Sequence, residues 1–247
     1  MIPKIIHYCW FGGNKKPALI KKCIESWKKF CPDYEIKEWN ENNFNINCNE
    51  YVQKAHEMKK WAFVADYARF FVLYNHGGVY LDTDVQLVKN LDDLVEKGKF
   101  AGFGNSEIVN TGLILAAEKG DWLCKEVMDS YTGETFVWDD PSKILAIGRR
   151  VTKILVNNGL QCNGQLQKVK DYTIYPQYYF NPTDGDMRRK VDKRAYSIHH
   201  YAATWFSPMD RFKNTMRRFV GHQNIDHWHK IKKIIKKKKK KKKRGTH

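Results

Sequence analysis

Two carboxylates separated by one residue follow a short apolar run in the first third of the chain. Residues 77–84 read Gly-Gly-Val-Tyr-Leu-Asp-Thr-Asp. The paired glycines are expected to end a helix, and alternation in the strand that follows predicts that Tyr80 and Asp82 face a cleft while their neighbours face the core. Carboxylates are preferred ligands of hard divalent cations such as Mn²⁺ and Mg²⁺. The pattern indicates a cation site at Asp82 and Asp84, although a turn with two solvated aspartates gives the same pattern.

The segment in front of this motif predicts a buried helix. Residues 49–75 are expected to be helical, in one or two pieces, and residues 61–74 are almost wholly apolar. A helix that is apolar all round is typically buried. Asp66 and Arg69 interrupt the run three residues apart, so they share a face and can touch. Because burying charge is costly, the pair is either a structural ion pair or part of a polar cleft, where Asp66 would accept hydrogen bonds from sugar hydroxyls and Arg69 would steady a sugar or diphosphate.

The N-terminal segment predicts the first strand of an α/β sheet. Residues 5–8 are apolar and β-branched at their start, and a loop with Trp10 and two glycines follows. Ligands of α/β sheets bind at the carboxyl ends of the strands, so Trp10 is either a platform for a nucleotide base or a core residue. A helix over residues 17–30 and a second strand over residues 34–39 are expected next.

The chain has 247 residues, which is enough for one α/β domain with a sizeable core, expected over residues 1–225. The formal net charge is +17, but residues 228–247 hold twelve Lys and Arg and no acid, which leaves +5 for the rest. The unbroken basic block Lys236–Arg244 predicts a disordered or amphipathic tail over residues 226–247. Such a tail could be a solubilising extension, dock on an anionic membrane surface or bind nucleic acid non-specifically. We expect the membrane, and nucleic acid is the less favoured partner.

The six cysteines do not form a Cys-x-x-Cys pair, so a zinc site or a thioredoxin-like site is not indicated. Several lie in apolar contexts, as reduced core thiols do. The N-terminus shows no secretory apolar region, and no stretch approaches the length of a membrane span. These features favour a reducing cytoplasm as the location.

Further elements are predicted in the second half of the chain. Strands are expected over residues 100–104 and 108–117, with Asn110 at the start of the second. Asn110 is either a ligand contact or a turn amide. Residues 142–157 predict a helix in which Arg150 and the other basic side chains form a mostly solvated face.

Residues 196–201 alternate as a last strand. Alternation allows only one of His199 and His200 to face the cleft. Either histidine could also be an ordinary polar residue at a strand end.

The sequence resembles a known family of sugar transferases. Ala-Asp-Tyr-Ala-Arg at residues 65–69, followed by the motif at residues 77–84, closely resembles the signature of glycosyltransferase family thirty-two. That family includes capsular-polysaccharide transferases and Och-type mannosyltransferases, and its layout is similar to the glucosylating domain of large clostridial toxins. Residues 2–12 also look like the first strand of the family, so the resemblance covers about the first ninety residues in the right order.

The resemblance implies a GT-A fold, which is a Rossmann-like α/β domain with a mixed, mostly parallel sheet. It also implies a retaining transferase that uses a nucleotide sugar, with a UDP-sugar favoured, and Mn²⁺ or Mg²⁺. By the resemblance, Trp10 stacks on the base, and Asp66 and Arg69 contact the donor sugar. Asp82 reaches the ribose or sugar and the metal, and Asp84 ligates the metal directly. Asp66, Arg69 and Asp82 are the expected catalytic residues.

The resemblance adds candidates outside this segment. Tyr80 and Asn110 are expected to contact the donor. A histidine and then a tryptophan close this end of the site in relatives, which makes His199 the expected third metal ligand, with His200 as the alternative, and Trp205 a donor contact.

The leading functional expectation is transfer of a sugar from a nucleotide-sugar donor to a saccharide or lipid-linked acceptor in surface or capsular glycan synthesis, in the cytoplasm or at the inner face of the membrane. Same-face attack is preferred because no residue stands out as a covalent nucleophile. A metal-dependent nucleotide-sugar hydrolase or phosphodiesterase would use the same site with water as acceptor. A polybasic binding protein associated with membrane or nucleic acid is the third possibility.

Overall fold

A seven-stranded mixed β-sheet forms the centre of this structure, a computed structural model that describes residues 1–138, 145–183 and 191–202. In chain order the helices and strands are β1 (Ile5–Cys9), α1 (Ala18–Phe30), β2 (Glu35–Trp39), α2 (Glu50–Glu57), α3 (Trp61–His76), β3 (Gly78–Tyr80), β4 (Val85–Leu87), α4 (Asp92–Val95), β5 (Phe100–Gly102), β6 (Leu115–Ala117), α5 (Trp122–Asp129), α6 (Ile147–Asn157), β7 (Gln167–Val169), β8 (Tyr172–Tyr175) and β9 (Ser197–His199).

The strand order of the sheet is β2-β1-β3-β6-β5-β8-β7. β1 pairs in parallel with β2 and β3, and β5 pairs in parallel with β8, whereas β6 and β7 pair antiparallel with their neighbours. Five strands therefore run in one direction and two run against them. This mixed, mostly parallel sheet flanked by helices confirms the predicted α/β class and has the arrangement expected of a GT-A domain. β4 and β9 form a separate antiparallel pair.

Apolar side chains form two clusters on the two faces of the central sheet. Val79 of β3 packs in the cluster that contains Trp27 of α1. The next residue, Tyr80, packs in the other cluster with Phe70 of α3. This alternation is the expected consequence of the pleat, in which successive side chains of a strand point to opposite faces.

The predicted helix over residues 49–75 consists of two helices, α2 and α3. The backbone N–H of Lys59 donates to the carbonyl of His56, and that of Lys60 donates to the carbonyl of Ala55, both at 2.8 Å. These two bonds form a Schellman motif at the end of α2. Lys59 has a φ of 56°, in the left-handed region that usually selects glycine.

Two glycines reverse the chain between α3 and β3, as predicted. Gly77 has a φ of 67°, and its N–H donates to the carbonyl of Leu73 at 2.7 Å. A Cβ atom on Gly77 would lie 2.9 Å from Cδ of Pro3, and one on Gly78 would lie 2.7 Å from the carbonyl oxygen of Ile5. Both the backbone conformation and the space therefore require glycine.

A buried histidine holds this reversal in place. Nε1 of Trp39 donates to Nδ1 of His7 at 3.0 Å, and Nε2 of His7 lies 2.8 Å from the carbonyl oxygen of Gly77. Because an indole nitrogen can only donate, Nδ1 accepts, and Nε2 carries the proton that it donates to Gly77. Burial lowers the pKa of His7 to about 4, so the neutral ring is the folded form.

Several sequence predictions need correction. β3 ends at Tyr80, so Asp82 and Asp84 lie in the turn after the strand and not on it. Of the strand predicted over residues 108–117, only β6 is extended in the sheet, because a turn over residues 110–113 precedes it.

The helix predicted over residues 142–157 begins at Ile147. Residues 139–144 lie outside the described ranges. Arg150 was expected on a solvated face, but its side chain is only 5% exposed because it pairs with Glu134 and lies 4.0 Å from the ring centre of Tyr131. This prediction was therefore wrong.

Within the described ranges, no helix combines the length and the hydropathy needed to cross a bilayer. The six cysteines are free thiols, and Cys9, Cys23, Cys31 and Cys124 are buried, in agreement with the expectation of reduced core thiols. Trp205, the boundary between residues 1–225 and 226–247, and the basic block Lys236–Arg244 lie outside the described residues, so those assignments stay predictions.

Replacing His7 is expected to change how stability depends on pH. In the unfolded chain His7 titrates near its ordinary pKa of 6.5, whereas in the fold it stays neutral until about pH 4. The unfolded state therefore gains protons first, and the wild-type chain loses up to about 3 kcal/mol of stability through His7 as the pH falls between these values.

The expected result is that His7→Gln, which can still donate to Gly77, lowers stability at neutral pH but flattens this acid-dependent loss. Denaturant unfolding of both proteins at a series of pH values measures the two slopes. Equal slopes would show that His7 is not the titrating group.

Candidate active site

The candidate side chains lie at one end of the central sheet because of the reversal at Gly77. α3 runs back along β3, so its first half lies at the same end as the residues that follow β3. β1 runs parallel to β3, with Ile6 level with Val79, and its carboxyl end therefore reaches the same edge. Side chains from α3, from the turn after β3 and from the loop after β1 are thus brought to one edge of the sheet, where ligands of α/β sheets bind.

Arg69 is the centre of the charge network at this edge. Its Nη2 lies 2.7 Å from Oδ1 of Asp66 and 3.4 Å from Oδ1 of Asp82. Its Nε donates to the carbonyl of Ala65 at 3.3 Å, and its guanidinium carbon lies 4.9 Å from the ring centre of Tyr80. The Asp66–Arg69 pair is therefore a structural ion pair that also contacts the Asp-x-Asp motif, and its role in binding a sugar or diphosphate stays a prediction.

Exposure differs along this network. The side chain of Arg69 is 5% exposed, that of Asp66 is 15% exposed and that of Asp82 is 27% exposed. The guanidinium is buried, and the two carboxylates are partly exposed. A ligand can therefore reach the carboxylates more readily than the guanidinium.

Burial changes the acidity of the two carboxylates. Burial raises the pKa of Asp66 to about 6, against the favourable charge of Arg69, and the negative charge of Asp82 adds to the rise. Burial also raises the pKa of Asp82, again opposed by Arg69 and reinforced by Asp84. Two acids crowded around one guanidinium are stabilised when a further cation arrives, because each carries unneutralised charge in a place with little solvent.

Asp84 is held on the other side by the small sheet. Nε2 of His199 lies 3.1 Å from Oδ1 of Asp84, and the backbone N–H of Ala202 donates to Oδ2 at 2.7 Å. Burial acts to raise the pKa of Asp84, but His199 and the bond from Ala202 outweigh it, so the pKa lies below its usual value. Asp84 is therefore an ionised carboxylate with fixed geometry.

Strand pairing decides which histidine faces the motif. In the β4–β9 ladder, His199 is opposite Val85, the residue directly after Asp84. His200 points elsewhere, and its Nε2 lies 2.9 Å from Oε1 of Gln86. The structure thus places the predicted residue, His199, beside Asp84.

Asp82, Asp84 and His199 could hold a metal ion together. Each offers one ligand atom, and these atoms all lie within 4.8 Å of one another. Two carboxylate oxygens and one imidazole nitrogen suit a divalent cation that accepts both kinds of ligand. Such a set agrees with the expectation of Mn²⁺ or Mg²⁺ at this position, and the choice between the two ions stays a prediction.

Tyr80 lies beneath the carboxylates and not in the cleft. It is 1% exposed, and its hydroxyl donates to Oδ1 of Asp82 at 3.2 Å. The expectation that Tyr80 faces a cleft and contacts the donor is therefore corrected, since β3 ends at Tyr80 and the side chain is covered. Tyr80 supports Asp82 from within the core.

A glycine that sequence reasoning missed forms the wall behind Asp82. The N–H of Asp82 donates to the carbonyl of Gly112 at 3.0 Å, and a Cβ atom on Gly112 would lie 2.1 Å from Oδ2 of Asp82. Oδ1 of Asn110 accepts from the N–H of Gly112 at 2.9 Å, which fixes the turn. Asn110 therefore has the turn-amide role, and a contact with a donor stays a prediction. The Asn-Thr-Gly sequence signals this turn, but nothing in it shows which side chain the turn meets.

Trp10 lies in the loop after β1, as predicted, and it is partly buried against the core. Its Nε1 donates to the carbonyl of Asn14 at 2.7 Å, and Nζ of Lys16 lies 5.5 Å from its ring centre. These contacts fix the ring orientation. Stacking of Trp10 on a base stays a prediction.

A second buried arginine that the sequence did not reveal lies close to Asp66. Arg150 makes a two-pronged pair with Glu134, with distances of 3.2 and 2.6 Å, and its positive charge favours the ionised form of Asp66. The signal available in the sequence was the position of Arg150 on the apolar side of α6, beside Val151.

Known proteins resemble this chain over the same region. Residues 17–101 match the family described as "Glycosyltransferase sugar-binding region containing DXD motif". An uncharacterized glycosyltransferase of Acanthamoeba polyphaga mimivirus, L373, is 36% identical over 109 residues, which cover 40% of this chain and 42% of that protein. Inositol phosphoceramide mannosyltransferase 1 of Schizosaccharomyces pombe is 29% identical over 106 residues, which cover 40% of this chain and 33% of that protein. The matched part therefore spans less than half the length of these relatives.

Solved structures show a weaker likeness. PaToxG glycosyltransferase aligns with a TM-score of 0.46 at 16% sequence identity. The alignment covers 64% of this chain and 72% of the PaToxG chain. A glycosyltransferase involved in glycosylation of the major capsid of PBCV-1 aligns with a TM-score of 0.43 at 14% sequence identity. That alignment covers 86% of this chain and 98% of the other protein.

Residues 17–101, about a third of the chain, are similar to a glycosyltransferase sugar-binding region, and the Asp-x-Asp motif lies within them. The family predicted from the sequence, the DXD-containing glycosyltransferases, is confirmed for residues 17–101, which carry Asp66, Arg69, Asp82 and Asp84.

Gly112→Ala is expected to displace Asp82 and weaken Mn²⁺ binding. The added Cβ would lie within 3.2 Å of Nη1 of Arg69 as well as against Asp82, so the carboxylate has to move. Overpacking costs about 1–3 kcal/mol, which predicts about tenfold weaker binding or more. Calorimetric titration with Mn²⁺ measures the effect.

Gly133→Ala is the matched control for this variant. Gly133 has a φ of 75°, and a Cβ atom there would have no neighbour within 4 Å. The control should lose stability through backbone strain while keeping Mn²⁺ affinity. Equal Mn²⁺ affinity in Gly112→Ala and wild type would contradict the assignment of Gly112 as the wall of the site.

Proposed function

We propose that this chain is a metal-dependent glycosyltransferase that moves a sugar from a nucleotide-sugar donor, with a UDP-sugar favoured, to a saccharide or lipid-linked acceptor. The observation that supports this most is the convergence of Asp82, Asp84 and His199 within ligand distance of one another, next to the Asp66–Arg69 pair. Two charged networks from different parts of the chain meet at one edge of the sheet. That juxtaposition suits a ligand with a diphosphate and a sugar side by side.

The residues of the metal cluster fit a divalent cation by their chemistry. Asp84 would be a direct ligand because it is ionised and its Oδ2 is held by the backbone N–H of Ala202. His199 would contribute its Nε2, and Asp82 a carboxylate oxygen, directly or through water. A cation bound there would neutralise the charge that develops on the diphosphate leaving group.

The protein residues around the cluster would bind and orient the donor sugar. Asp66 has a partly exposed carboxylate that can accept hydrogen bonds from sugar hydroxyls. Arg69 is nearly buried, and we assign it mainly to holding Asp66 and Asp82 in position while its positive charge acts on the leaving group at short range. A guanidinium fixed by two carboxylates and a backbone carbonyl needs little reorganisation during the reaction.

We propose that the anomeric configuration is retained through same-face attack. A covalent mechanism needs a free carboxylate behind the anomeric carbon. Oδ1 of Asp66 is engaged by Arg69 at 2.7 Å, and Oδ1 of Asp82 receives the hydroxyl of Tyr80 at 3.2 Å. Each carboxylate therefore has one oxygen engaged and one left for the sugar or the cation, and we assign both residues to binding.

The names of three relatives support a hexosyl donor and a lipid-borne acceptor. Three of them are inositol phosphoceramide mannosyltransferases, matched at 29%, 33% and 34% identity. A role in surface or capsular glycan synthesis in the cytoplasm, peripheral to the inner face of the membrane, is consistent with such an acceptor and with the basic block Lys236–Arg244.

Asp84→Asn is expected to lower Mn²⁺-dependent turnover of the donor by about a hundredfold or more, because loss of a ligand charge removes several kcal/mol of transition-state stabilisation. Asp129→Asn is the matched control, since Asp129 is 57% exposed and pairs only with Lys125 in the described part of the chain. Chelation of divalent cations should lower donor turnover by the wild type to the same extent.

The same assay separates transfer from hydrolysis. Sugar released to water alone, in the presence of saccharide and lipid-linked acceptors, would support the nucleotide-sugar hydrolase instead. NMR of the product reports the anomeric configuration, and inversion would contradict same-face attack. Turnover by Asp84→Asn at the wild-type rate would refute the metal site.

Removing residues 229–247 is expected to reduce binding to vesicles that contain anionic lipid, because each lysine near such a surface contributes about 1 kcal/mol. Co-sedimentation of both forms with neutral and anionic vesicles measures this. Equal binding of the two forms would show that the basic block does not recruit the chain to membranes.

A further inference from the structure

Tyr201 has a backbone conformation that is rare for a residue of its type. Its φ is 47°, in the left-handed region, and within the described ranges only Lys59 and Lys170 share a positive φ among the residues other than glycine. A strained conformation of this kind persists where the surrounding structure enforces it, and it is frequent at functional sites. The contacts of Tyr201 therefore indicate what the strain serves.

Two backbone hydrogen bonds, one on each side of Tyr201, enforce its conformation. The N–H of His200 donates to the backbone carbonyl of Asp84 at 3.0 Å, and the N–H of Ala202 donates to Oδ2 of the same residue at 2.7 Å. Because both donors converge on one residue, the chain turns sharply between them. The strained residue is thus tied through its two neighbours to a candidate metal ligand.

The ring of Tyr201 packs against the imidazole of His199. The two ring centres are 4.0 Å apart and the planes meet at 68°, which is an edge contact. His199 is buried, and its Nε2 lies 3.1 Å from Oδ1 of Asp84. A histidine ring can rotate about its bond to Cβ unless its neighbours prevent it. Tyr201 restricts this rotation while Nε2 is directed at the metal cluster.

The hydroxyl of Tyr201 is held by a buried amide. Nδ2 of Asn181 donates to this hydroxyl at 2.6 Å. Asn181 is fully buried, and its backbone N–H donates to the carbonyl of Gln177 at 2.7 Å. The far end of the Tyr201 side chain is therefore bound to a fixed point of the fold.

Asn181 also contacts the wall behind Asp82. Its Nδ2 donates to the carbonyl of Gly104 at 3.0 Å as well as to Tyr201. A Cβ atom on Gly104 would lie 2.9 Å from Cβ of Asn110, the residue that fixes the turn behind Asp82. One amide therefore connects the support of Asp82 with the support of the third candidate ligand.

We propose that Tyr201 is a positioning residue for the metal site, which orients the imidazole of His199 and is itself fixed by Asn181. A histidine that binds a metal needs a partner that fixes its ring, and loss of such a partner typically weakens metal binding by about 10–100-fold. Tyr201 acts on the imidazole through ring packing, and the left-handed backbone is the conformation that brings its ring there. The inference rests on the metal site of the proposed function.

Tyr201→Gly tests this role by calorimetric titration of the full chain with Mn²⁺. The variant removes the ring, and glycine adopts the left-handed backbone without strain. We expect Mn²⁺ to bind about tenfold more weakly than to the wild type, because the imidazole is then free to rotate. An unchanged affinity for Mn²⁺ would overturn the proposal.

Lys170→Gly is the matched control. Lys170 has a φ of 51° in the turn between β7 and β8, and its Nζ lies 3.9 Å from the ring centre of Trp122. The control makes the same backbone change and also removes a side chain that contacts an aromatic ring. It should bind Mn²⁺ with the affinity of the wild type.

A double-mutant cycle with His199→Gln separates positioning from a general structural effect. If Tyr201 acts through the imidazole, Tyr201→Gly should cause no further loss of Mn²⁺ affinity in the His199→Gln chain. A second tenfold loss in that background would overturn the proposal, since Tyr201 would then act by another route. Tyr201→Asn gives the same comparison if Tyr201→Gly does not fold, because asparagine also tolerates the left-handed region.

Donor turnover by the wild type distinguishes failure of this proposal from failure of the proposed function. Turnover together with equal Mn²⁺ affinity of wild type and Tyr201→Gly would refute the positioning role alone. Weaker Mn²⁺ binding by Tyr201→Gly, in a chain whose wild type turns over no nucleotide sugar, would support the positioning role and contradict the proposed function. A wild type that binds no Mn²⁺ would overturn both the metal site and the role of Tyr201.

Discussion

The buried guanidinium of Arg69 is the interaction on which the candidate site depends. It touches Asp66 on its own helix and Asp82 after β3, so one cation fixes the position of two carboxylates from two elements. Removing such a partner from a buried pair leaves uncompensated charge, which is far more costly than the net worth of the pair. The same burial keeps the pKa of both aspartates above the ordinary value in spite of Arg69. When both are ionised, two carboxylates face one guanidinium, and the excess negative charge favours the uptake of a cation.

The pair can form only because the chain reverses tightly between α3 and β3. Gly77 and Gly78 have positive φ values and no room for a side chain, and His7 binds the carbonyl of Gly77 from the neighbouring strand. If this reversal were longer or looser, Arg69 and Asp82 would no longer lie next to each other at the edge of the sheet. The two glycines therefore determine the geometry of the site through the backbone. Within the described residues, neither of them contacts a carboxylate of the site.

The sequence contained enough information for the local part of this arrangement. Asp66, Arg69, Asp82 and Asp84 lie within nineteen positions in the chain, and helical spacing plus the glycine pair was sufficient to place them together. The contribution of His199 depends on strand pairing across more than a hundred residues, and alternation alone could not choose between it and His200. The roles of Gly112 and Arg150 could not be predicted for the same reason, because each role depends on a contact with a side chain that is distant in the sequence. Tyr80 was misplaced because strand alternation was extended past the point where β3 ends.

The three potential metal ligands belong to two separate hydrogen-bonding systems. Asp82 is anchored to the central sheet through the carbonyl of Gly112 and the hydroxyl of Tyr80. Asp84 and His199 are anchored to the small β4–β9 sheet, with Ala202 completing the support. A cation shared by all three would join the two sheets, and ligand binding to the folded state alone stabilises that state by mass action. The single residue between Asp82 and Asp84, Thr83, leaves little freedom for the two sheets to move independently. The Asp-x-Asp spacing therefore determines both the chemistry of the site and the connection between the sheets.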